Sequence, residues 1–489
     1  MIPTRRRKHH AGQEPGPERN SLIDMSKRGT NDLTNGSILR KLLLVAIPIM
    51  GTQLMQMAYN LTDMFWLGQG VSSAAVAASG SAGMYLWLSM AFMLVGRLGA
   101  EIGVSQCLGR REPEEARRYA QNAVFLAMTL GIAFAAPLII FSRPLIRLVG
   151  IYEAGLLRDA ANYLTIVALG VPLTFVSGSI TGMFNGAGNS RLSFWANAIG
   201  LAINMALDPL FIIGFKWGVI GAAIATVMAQ AVVCTLFIVF AKKHKARPFD
   251  KFMLFARPEK APVRQIFKWT IPVGLESMLF TLLSMATTRI AASFGQDALA
   301  VQRVGSQIES MSWLIGGGFG TAITAFVGQN FGAHKWARIR EGFRIAWRAM
   351  LIWGIVVSGL LFFGGRVLYQ VFIKAEETHI LDGGAVYLRI LTACQIFCCL
   401  EAVGAGMFRG LGKTIPPSVS SISINILRVP LAYLLSIPMG LDGVWWGVSL
   451  TALMRGALIF GWFLVYSRKL PRQDETLDSR GERQLCETV

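Results

Sequence analysis

This chain of 489 residues has few charges and few cysteines, and it lacks the common motifs of enzymes. Charged residues make up 15% of the sequence, whereas an ordinary soluble domain is about 25% charged. The six cysteines show no CxxC spacing, which argues against a disulfide framework and against a zinc site. Neither a GxSxG elbow, nor an HExxH helix, nor a complete phosphate-binding loop occurs. The sequence therefore indicates neither a hydrolase nor a protein that uses ATP as its energy source.

Apolar residues dominate what is present. They make up 53% of the chain, and the mean hydropathy is +0.49. Crossing a hydrocarbon core takes about 20 consecutive, mostly apolar residues. Stretches of that length are Leu42–Leu67, Ala120–Phe141, Gly218–Phe240 and Gly443–Tyr466. A soluble helical protein would need far more charge to cover its surface, so we predict a polytopic membrane protein.

The hydropathy pattern predicts an all-α membrane protein with twelve transmembrane helices. The predicted helices cover residues 43–66, 77–104, 119–141, 160–184, 192–214, 217–240, 266–292, 299–327, 343–372, 384–408, 416–438 and 443–466. Six of them fall in each half of the chain. An even number of crossings returns the chain to its starting side, so both halves should have the same orientation.

The two halves are copies of one unit. The first copy opens at Pro48 with AIPIMGTQLMQMAYN, and the second opens at Pro272 with TIPVGLESMLFTLLS. Each copy carries a Gln–x–x–Gly turn, at Gln106 and at Gln329, and GMFNGAGNS in the first answers GMFRGLGKT in the second. We expect two six-helix lobes related by a pseudo-two-fold axis along the membrane normal. That architecture is typical of transporters.

The copies divide the chain into five segments. We expect a disordered cytoplasmic end, an N-lobe, a cytoplasmic linker, a C-lobe and a cytoplasmic tail. Their bounds are 1–40, 41–240, 241–264, 265–468 and 469–489.

Basic residues set the predicted orientation. The formal net charge is +19, and the positive residues cluster in both terminal segments, in the linker and in the turns after the second and eighth helices. By the positive-inside rule this side is cytoplasmic. The protein should therefore lie in the cell membrane, the inner membrane where there are two, with both termini in the cytoplasm. The rule explains the basicity without a nucleic-acid partner.

Polar and acidic residues inside the predicted helices of the N-lobe are the candidate functional groups. Asp63 lies in the first helix, and Asn204 and Asp208 lie one turn apart in the fifth. Pro209 disfavours a regular helix at Asp208 and would free carbonyl oxygens. Thr226 in the sixth helix adds a hydroxyl group. Such oxygen ligands suit Na⁺, and two paired carboxylates suit H⁺; alternatively, Asp63 only caps a helix end.

The duplication separates these residues into two groups. When the two copies are aligned, Asn204 and Thr226 correspond to polar residues of the second copy, whereas the acids Asp63 and Asp208 do not correspond to acids. The pairs are Asn204 with Asn425, Thr226 with Thr451, Asp63 with Thr287 and Asp208 with Val429. Residues needed only for packing the scaffold should occur in both copies, so the acids indicate a function of the N-lobe.

The C-lobe has acids of its own. Glu276, Glu309 and Glu401 lie in predicted helices, where a carboxylate is costly and usually faces a wet cavity or a partner. They are candidates for holding a cationic substrate or a proton. The alternative is an internal ion pair, for which the helices offer Arg289, Arg303, Arg409, Arg428 and Arg455.

Taken together, the repeated Pro-containing first helix, the Gln–x–x–Gly turns and NMALDP resemble the multidrug and toxic compound extrusion (MATE) family over residues 40–465. The resemblance implies a twelve-helix antiporter whose two lobes rock around a central cavity. It also implies export of organic cations and drugs in exchange for Na⁺ or H⁺.

The resemblance extends to single residues. Asp63, Asn204, Asp208 and Thr226 match the cation-site positions of the family's N-lobe. Glu276 matches an acid of the seventh helix that some members use. The tenth-helix aspartate of those members has no counterpart in residues 384–408, where Glu401 is only nearby.

We expect no cofactor beyond the coupling ion, small organic cations or drugs as substrates, and a monomer in the bilayer. Two other interpretations remain open. A lipid-linked oligosaccharide flippase of the same superfamily would need a cavity rich in cationic side chains. An integral membrane enzyme would need a nucleophile with its base or a metal site, and the sequence shows neither.

Overall fold

The structure is a computed structural model that describes residues 31–70, 73–244, 247–254, 256–373 and 377–471, with the backbone alone at 59–61, 63–65, 67–70, 73–77 and 296. This part of the chain contains twelve helices long and apolar enough to cross a membrane. The first six are α1 (Ile38–Gly70), α2 (Ser73–Gly109), α3 (Pro113–Ile140), α4 (Ala154–Gly186), α5 (Ser190–Pro209) and α6 (Gly218–Lys243). The second six are α7 (Lys260–Ala292), α8 (Gln296–Gly332), α9 (Trp336–Gln370), α10 (Thr378–Gly410), α11 (Ile415–Met439) and α12 (Leu441–Lys469).

The predicted all-α membrane fold is confirmed, and most helices are longer than the apolar stretches that predicted them. The helix α8 has 37 residues, because its polar ends continue the helix beyond the hydrophobic segment. Pro113 stands in the first turn of α3, where its missing N–H costs nothing. A short connecting helix, Ser142–Leu148, follows α3. It was not predicted, since seven residues are too few to show a clear periodicity.

The helix α5 stays regular through Asp208 and Pro209 and becomes irregular immediately afterwards, so the irregularity predicted at Asp208 begins two residues later. Its hydrogen bonding changes to a π-helical segment, Leu210–Gly214, in which Phe215 N–H donates to the Leu210 carbonyl at 2.9 Å. Single π-helical turns of this kind occur frequently at functional sites. Here the segment begins two residues after Asp208.

The helix packing follows a two-fold pattern between the copies. The helix α1 packs against α5 in its own lobe and against α8 in the other lobe. Its counterpart α7 packs against α11 and against α2 in the same way. The helices α2 and α8 contact each other, so they lie next to the pseudo-two-fold axis. The duplication in the sequence is therefore also a symmetry of the fold, with one six-helix lobe from each copy.

The two lobes meet closely at the end of the molecule that carries the basic turns. Residues 95–109 of α2 and 318–331 of α8 are almost all buried, whereas the preceding halves of both helices are partly exposed. Gly332 packs against the backbone of Gln106, and Gly109 packs against the backbone of Gln329. A side chain at either glycine would overlap a carbonyl oxygen of the other lobe. The lobes are thus closed at the basic end and separate toward the opposite end.

Two equivalent glutamines join the lobes at this basic end. The Gln106 Nε2 donates a hydrogen bond to the Gly410 carbonyl at 2.9 Å. The Gln329 Nε2 donates to the Gly186 carbonyl at 2.9 Å. Each glutamine therefore satisfies the end of a helix in the other lobe, and both side chains are buried. The repeated Gln–x–x–Gly turn is the contact that closes the basic end.

An N-terminal strap, defined as residues 31–36, crosses the same closure. Asn31 N–H donates to the Ala187 carbonyl of the N-lobe at 3.1 Å. The Leu33 N–H donates to Gln329 Oε1 of the C-lobe at 2.9 Å, and the Leu33 side chain is fully buried. The expectation of disorder over 1–40 is thus wrong for residues 31–40, because backbone and side-chain contacts hold them in place. The part before residue 31 lies outside the described residues.

The strap is stabilised by an aspartate at its centre. Burial alone would raise the pKa of Asp32, but hydrogen bonds from Thr34 and Asn35 and the nearby Lys335 charge lower it below its ordinary value. The Lys335 Nζ also donates to the Thr34 carbonyl at 2.9 Å. The strap therefore holds a charged carboxylate next to a cation of the C-lobe.

Candidate functional site

In the N-lobe the structure brings two predicted site residues together. The Asn204 Nδ2 donates a hydrogen bond to Asp208 Oδ1 at 3.1 Å. Both side chains are 0% exposed, although a carboxylate at membrane depth is costly. The Asn204 Oδ1 accepts no hydrogen bond within the described residues. The pair therefore presents oxygen atoms of an amide and a carboxylate inside the lobe.

An irregular helical segment lies close to this pair along the chain. Asp208 stands two residues before the π-helical segment, in which the regular ladder of carbonyl groups is interrupted. Thr226 of α6 is buried. It lies roughly two turns after the connection between α5 and α6, and Asp208 lies roughly two turns before the same connection. The helices α5 and α6 pack on each other. The fourth predicted ligand is thus at a comparable depth.

Asp63, the remaining N-lobe residue of the prediction, is in α1, but its side chain lies outside the described residues. The backbone still limits its position. The helix α1 packs along α5 and also contacts the π-helical segment and α6. It therefore runs beside the elements that carry Asp208 and Thr226.

In the C-lobe, Glu401 forms an ion pair with one of the arginines that the sequence offered. The Arg455 Nε lies 2.9 Å from Glu401 Oε2, and the two side chains are 13% and 16% exposed. The Arg455 Nη1 also donates to Asn425 Oδ1 at 3.2 Å. Asn425, the counterpart of Asn204 in the second copy, therefore supports an arginine in the C-lobe.

The other two glutamates have separate polar partners. Glu309 Oε1 accepts a hydrogen bond from Gln395 Nε2 at 3.2 Å. Glu276 Oε2 accepts one from the Ser418 hydroxyl at 2.9 Å. All three glutamates lie on helices of one lobe but on different helices, namely α7, α8 and α10. The three acids therefore have separate hydrogen-bonding partners, although all three lie close enough to Arg455 to interact with its charge.

Arg428 and Phe280 are residues whose position the sequence did not predict. Arg428 is buried in α11, and its guanidinium carbon lies 5.0 Å from the centroid of the Phe280 ring. The Arg455 guanidinium carbon lies 5.8 Å from the same centroid. One aromatic ring of α7 thus contacts two guanidinium groups from α11 and α12. The only sequence signal was that arginines are rare within transmembrane helices.

The N-lobe donor set fits a small hard cation better than a transition metal. Within the described residues, no group of three His, Cys, Asp or Glu side chains converges on one point. A cation next to Asp208 would therefore be completed by amide, hydroxyl and carbonyl oxygens. Oxygen ligands of this kind suit alkali and alkaline-earth ions.

A model of the MatE family matches residues 48–210 and again residues 272–434. Both matches begin at the prolines that open the two copies. Together they cover about two thirds of the chain.

Curated relatives match over almost their whole length. The "Probable multidrug resistance protein NorM" of Thermotoga maritima is 26% identical over 436 residues, which cover 87% of this chain and 92% of the relative. The "Multidrug export protein MepA" of Staphylococcus haemolyticus is 21% identical over 435 residues, covering 88% of this chain and 94% of the relative.

Solved structures share the fold. One described as the outward-facing conformation of a multidrug resistance MATE family transporter has a TM-score of 0.85, with 20% identity, and covers 91% of this chain and 99% of its own. A MATE in the bent conformation has a TM-score of 0.83, also with 20% identity, and covers 90% of this chain and 97% of its own.

Proposed function

This chain belongs to the MatE family of membrane transporters, and from that premise we propose that it exports organic cations and drugs in exchange for Na⁺ or H⁺. Multidrug efflux is the activity that the names of its curated relatives carry. The observation that supports the exchange is the buried Asn204–Asp208 pair. It occurs at an irregular helix end, in one lobe only.

The proposed coupling site consists of Asp63, Asn204, Asp208 and Thr226. The Asp208 carboxylate supplies the charge, and Asn204 orients it through the 3.1 Å hydrogen bond. Thr226 and the carbonyl groups near Pro209 add neutral oxygen atoms. Binding of a cation or a proton offsets the cost of a buried negative charge. The most stable positions of α1 and α5 should therefore differ between the N-lobe with a bound ion and the N-lobe without one.

Alternating access supplies the proposed mechanism. We assign the basic end to the cytoplasm by the positive-inside rule, which places both termini in the cytoplasm. We further propose that the protein acts as a monomer in the cell membrane. With this end closed by Gln106 and Gln329, the structure corresponds to a state open toward the outside. Rocking of the lobes about the pseudo-two-fold axis would break this closure and open the cytoplasmic side.

Coupling then follows from reciprocity. If substrate and cation bind one cavity with opposite preferences, each weakens the other by the same factor. The acids Glu276, Glu309 and Glu401 would favour positively charged substrates in the C-lobe. Because these three acids balance the charges of Arg409, Arg428 and Arg455, the described interior of the lobe is not predominantly cationic. That charge balance favours drug export over oligosaccharide flipping.

The test is efflux from proteoliposomes that contain the purified protein. Ethidium efflux should be driven by an imposed inward gradient of either Na⁺ or H⁺, and Asp208→Asn should abolish the response to that gradient. Asp382→Asn is a matched control, because Asp382 forms an exposed surface pair with Arg366. Full gradient-driven efflux by Asp208→Asn, or no efflux by the unmodified protein under either gradient, would disprove the proposal.

A further inference from the structure

Arg428 is a buried cation in the middle of a transmembrane helix. It is 4% exposed and lies about halfway along α11. Within the described residues its guanidinium makes one hydrogen bond, a long one of 3.4 Å from Nε to the Thr451 hydroxyl. No described carboxylate lies within 4.0 Å of it. A guanidinium has five N–H donors, so most of its binding capacity is unused.

The scaffold does not require an arginine at this position. In the aligned motifs INMALDP and INILRVP, Arg428 corresponds to Leu207 of the first copy. The N-lobe packs the same two helices, α5 and α6, with a leucine there. An arginine within the membrane is expensive and usually marks a substrate or ion pathway. Arg428 is therefore a feature of the C-lobe and its function.

The neighbouring acids already have partners. Glu401 pairs with Arg455 at 2.9 Å, Glu309 is held by Gln395, and Glu276 is held by Ser418. Glu309 and Glu401 lower the cost of burying Arg428 through longer-range attraction. None of them occupies its terminal N–H groups.

The aromatic ring beside it completes a recognisable arrangement. Phe280 lies 5.0 Å from the Arg428 guanidinium and 5.8 Å from that of Arg455, and its side chain is 40% exposed. A planar guanidinium binds a carboxylate through two parallel hydrogen bonds. An exposed aromatic ring next to it offers a stacking surface for an aromatic ligand.

We propose that Arg428, supported by Arg455 and Phe280, forms a subsite for the carboxylate of an aromatic substrate. The ligand class is an aromatic zwitterion. Its carboxylate binds Arg428, its ring stacks on Phe280, and its cationic group lies toward Glu309 or Glu276. The inference rests on the proposed export function and narrows its substrates. It assigns recognition of the carboxylate to Arg428.

A purely structural role is the competing explanation. In that case Arg428 only balances the charges of Glu309 and Glu401, and its loss would affect all ligands equally. A pair of ligands that differ only in the carboxylate separates the two explanations. A rhodamine free acid is a zwitterion, and its methyl ester is a cation with the same ring system.

The experiment measures equilibrium binding of both dyes to the purified full-length protein by fluorescence polarisation. The unmodified protein should bind the free acid more tightly than the ester. Arg428→Gln should weaken binding of the acid about tenfold or more, the usual effect of losing hydrogen bonds to a charged group, and change binding of the ester less than about twofold. Arg428→Lys, which keeps the charge but not the paired donors, should fall between.

One control variant and a separate transport measurement keep the outcomes distinct. Arg389→Gln removes an exposed arginine that lies 5.8 Å from the Phe362 ring and should change neither affinity. Equal weakening of acid and ester by Arg428→Gln, or no preference for the acid in the unmodified protein, would overturn the subsite. If the acid preference and its loss are found but no gradient drives export of either dye, the export proposal fails and the subsite stands.

Discussion

Replacing Gln329 by alanine should open the basic end of the transporter. In the structure its Nε2 donates to the Gly186 carbonyl and its Oε1 accepts from the Leu33 N–H, both at 2.9 Å. These two bonds connect the C-lobe to the N-lobe and to the N-terminal strap. Gln329→Ala leaves a buried carbonyl group and a buried N–H group without partners.

The size of the effect follows from these bonds. A buried polar group left unsatisfied costs about 1–3 kcal/mol, and partial relaxation reduces the sum for Gln329→Ala to roughly 2 kcal/mol. When the basic end opens, both groups reach water, so the cost falls on the closed state alone. A change of that size shifts the equilibrium roughly 30-fold toward opening. Gln106→Ala breaks a single bond, so it should shift the equilibrium only about fivefold.

Thiol labelling measures this equilibrium. Ser105 is fully buried between the lobes and contacts Gly328 of the other lobe. In a background without the native cysteines, Ser105→Cys should react with a maleimide only while the basic end is open. The labelling rate should rise by the factors given above when Gln329→Ala or Gln106→Ala is added.

A control substitution removes a hydrogen bond within one lobe. The Thr165 hydroxyl donates to the Ala161 carbonyl one turn earlier in α4, so Thr165→Ala should leave the labelling rate unchanged. An unchanged rate in Gln329→Ala, or an equal rise in Thr165→Ala, would refute the assignment of the glutamines to the closure.

Four further outcomes follow from the structure. Arg455→Ala should lower the free energy of unfolding by about 3–5 kcal/mol, since it strands a buried Glu401 carboxylate; adding Glu401→Gln should restore most of it, as thermal melting in detergent would show. Gly332→Ala should raise the labelling rate of Ser105→Cys at least as much as Gln329→Ala does, because the added methyl group would overlap the Gln106 carbonyl oxygen. Asn204→Ala should raise the cation concentration for half-maximal efflux about tenfold. Because the Asp32 pKa is lowered, its contribution to docking of the strap should be constant above about pH 4 and disappear as the pH falls below it, measurable by limited proteolysis.

The two-lobed scaffold could be predicted from the sequence because the same six-helix unit occurs twice along the chain. Pro48 and Pro272 open both copies, and the family matches begin at the same residues. Helix ends were less predictable, since hydropathy detects only the apolar segment. The N-terminal strap was missed for the same reason. Its order comes from contacts with residues such as Gln329, far away along the chain.

The candidate site was only partly predictable. Asn204 and Asp208 are one turn apart on one helix, so local spacing was sufficient to pair them. The partners of Glu276 and Glu401 lie on other helices, and no local pattern identifies which serine or arginine reaches them. The position of Arg428 over Phe280 joins α11 to α7. Such contacts depend on how the lobe packs, which a single sequence does not specify.

In the proposed mechanism, one cavity exchanges substrate for a cation through the acids of the N-lobe. This exchange is tested by running the efflux assay in reverse, with the substrate gradient as the driving force. Proteoliposomes start with equal cation concentrations on both sides, and an ethidium gradient is imposed while Na⁺ uptake and internal pH are followed. Ethidium flux should drive Na⁺ or H⁺ in the opposite direction, and Asp208→Asn should abolish this movement. Ethidium flux with no cation movement, or undiminished cation movement in Asp208→Asn, would contradict it.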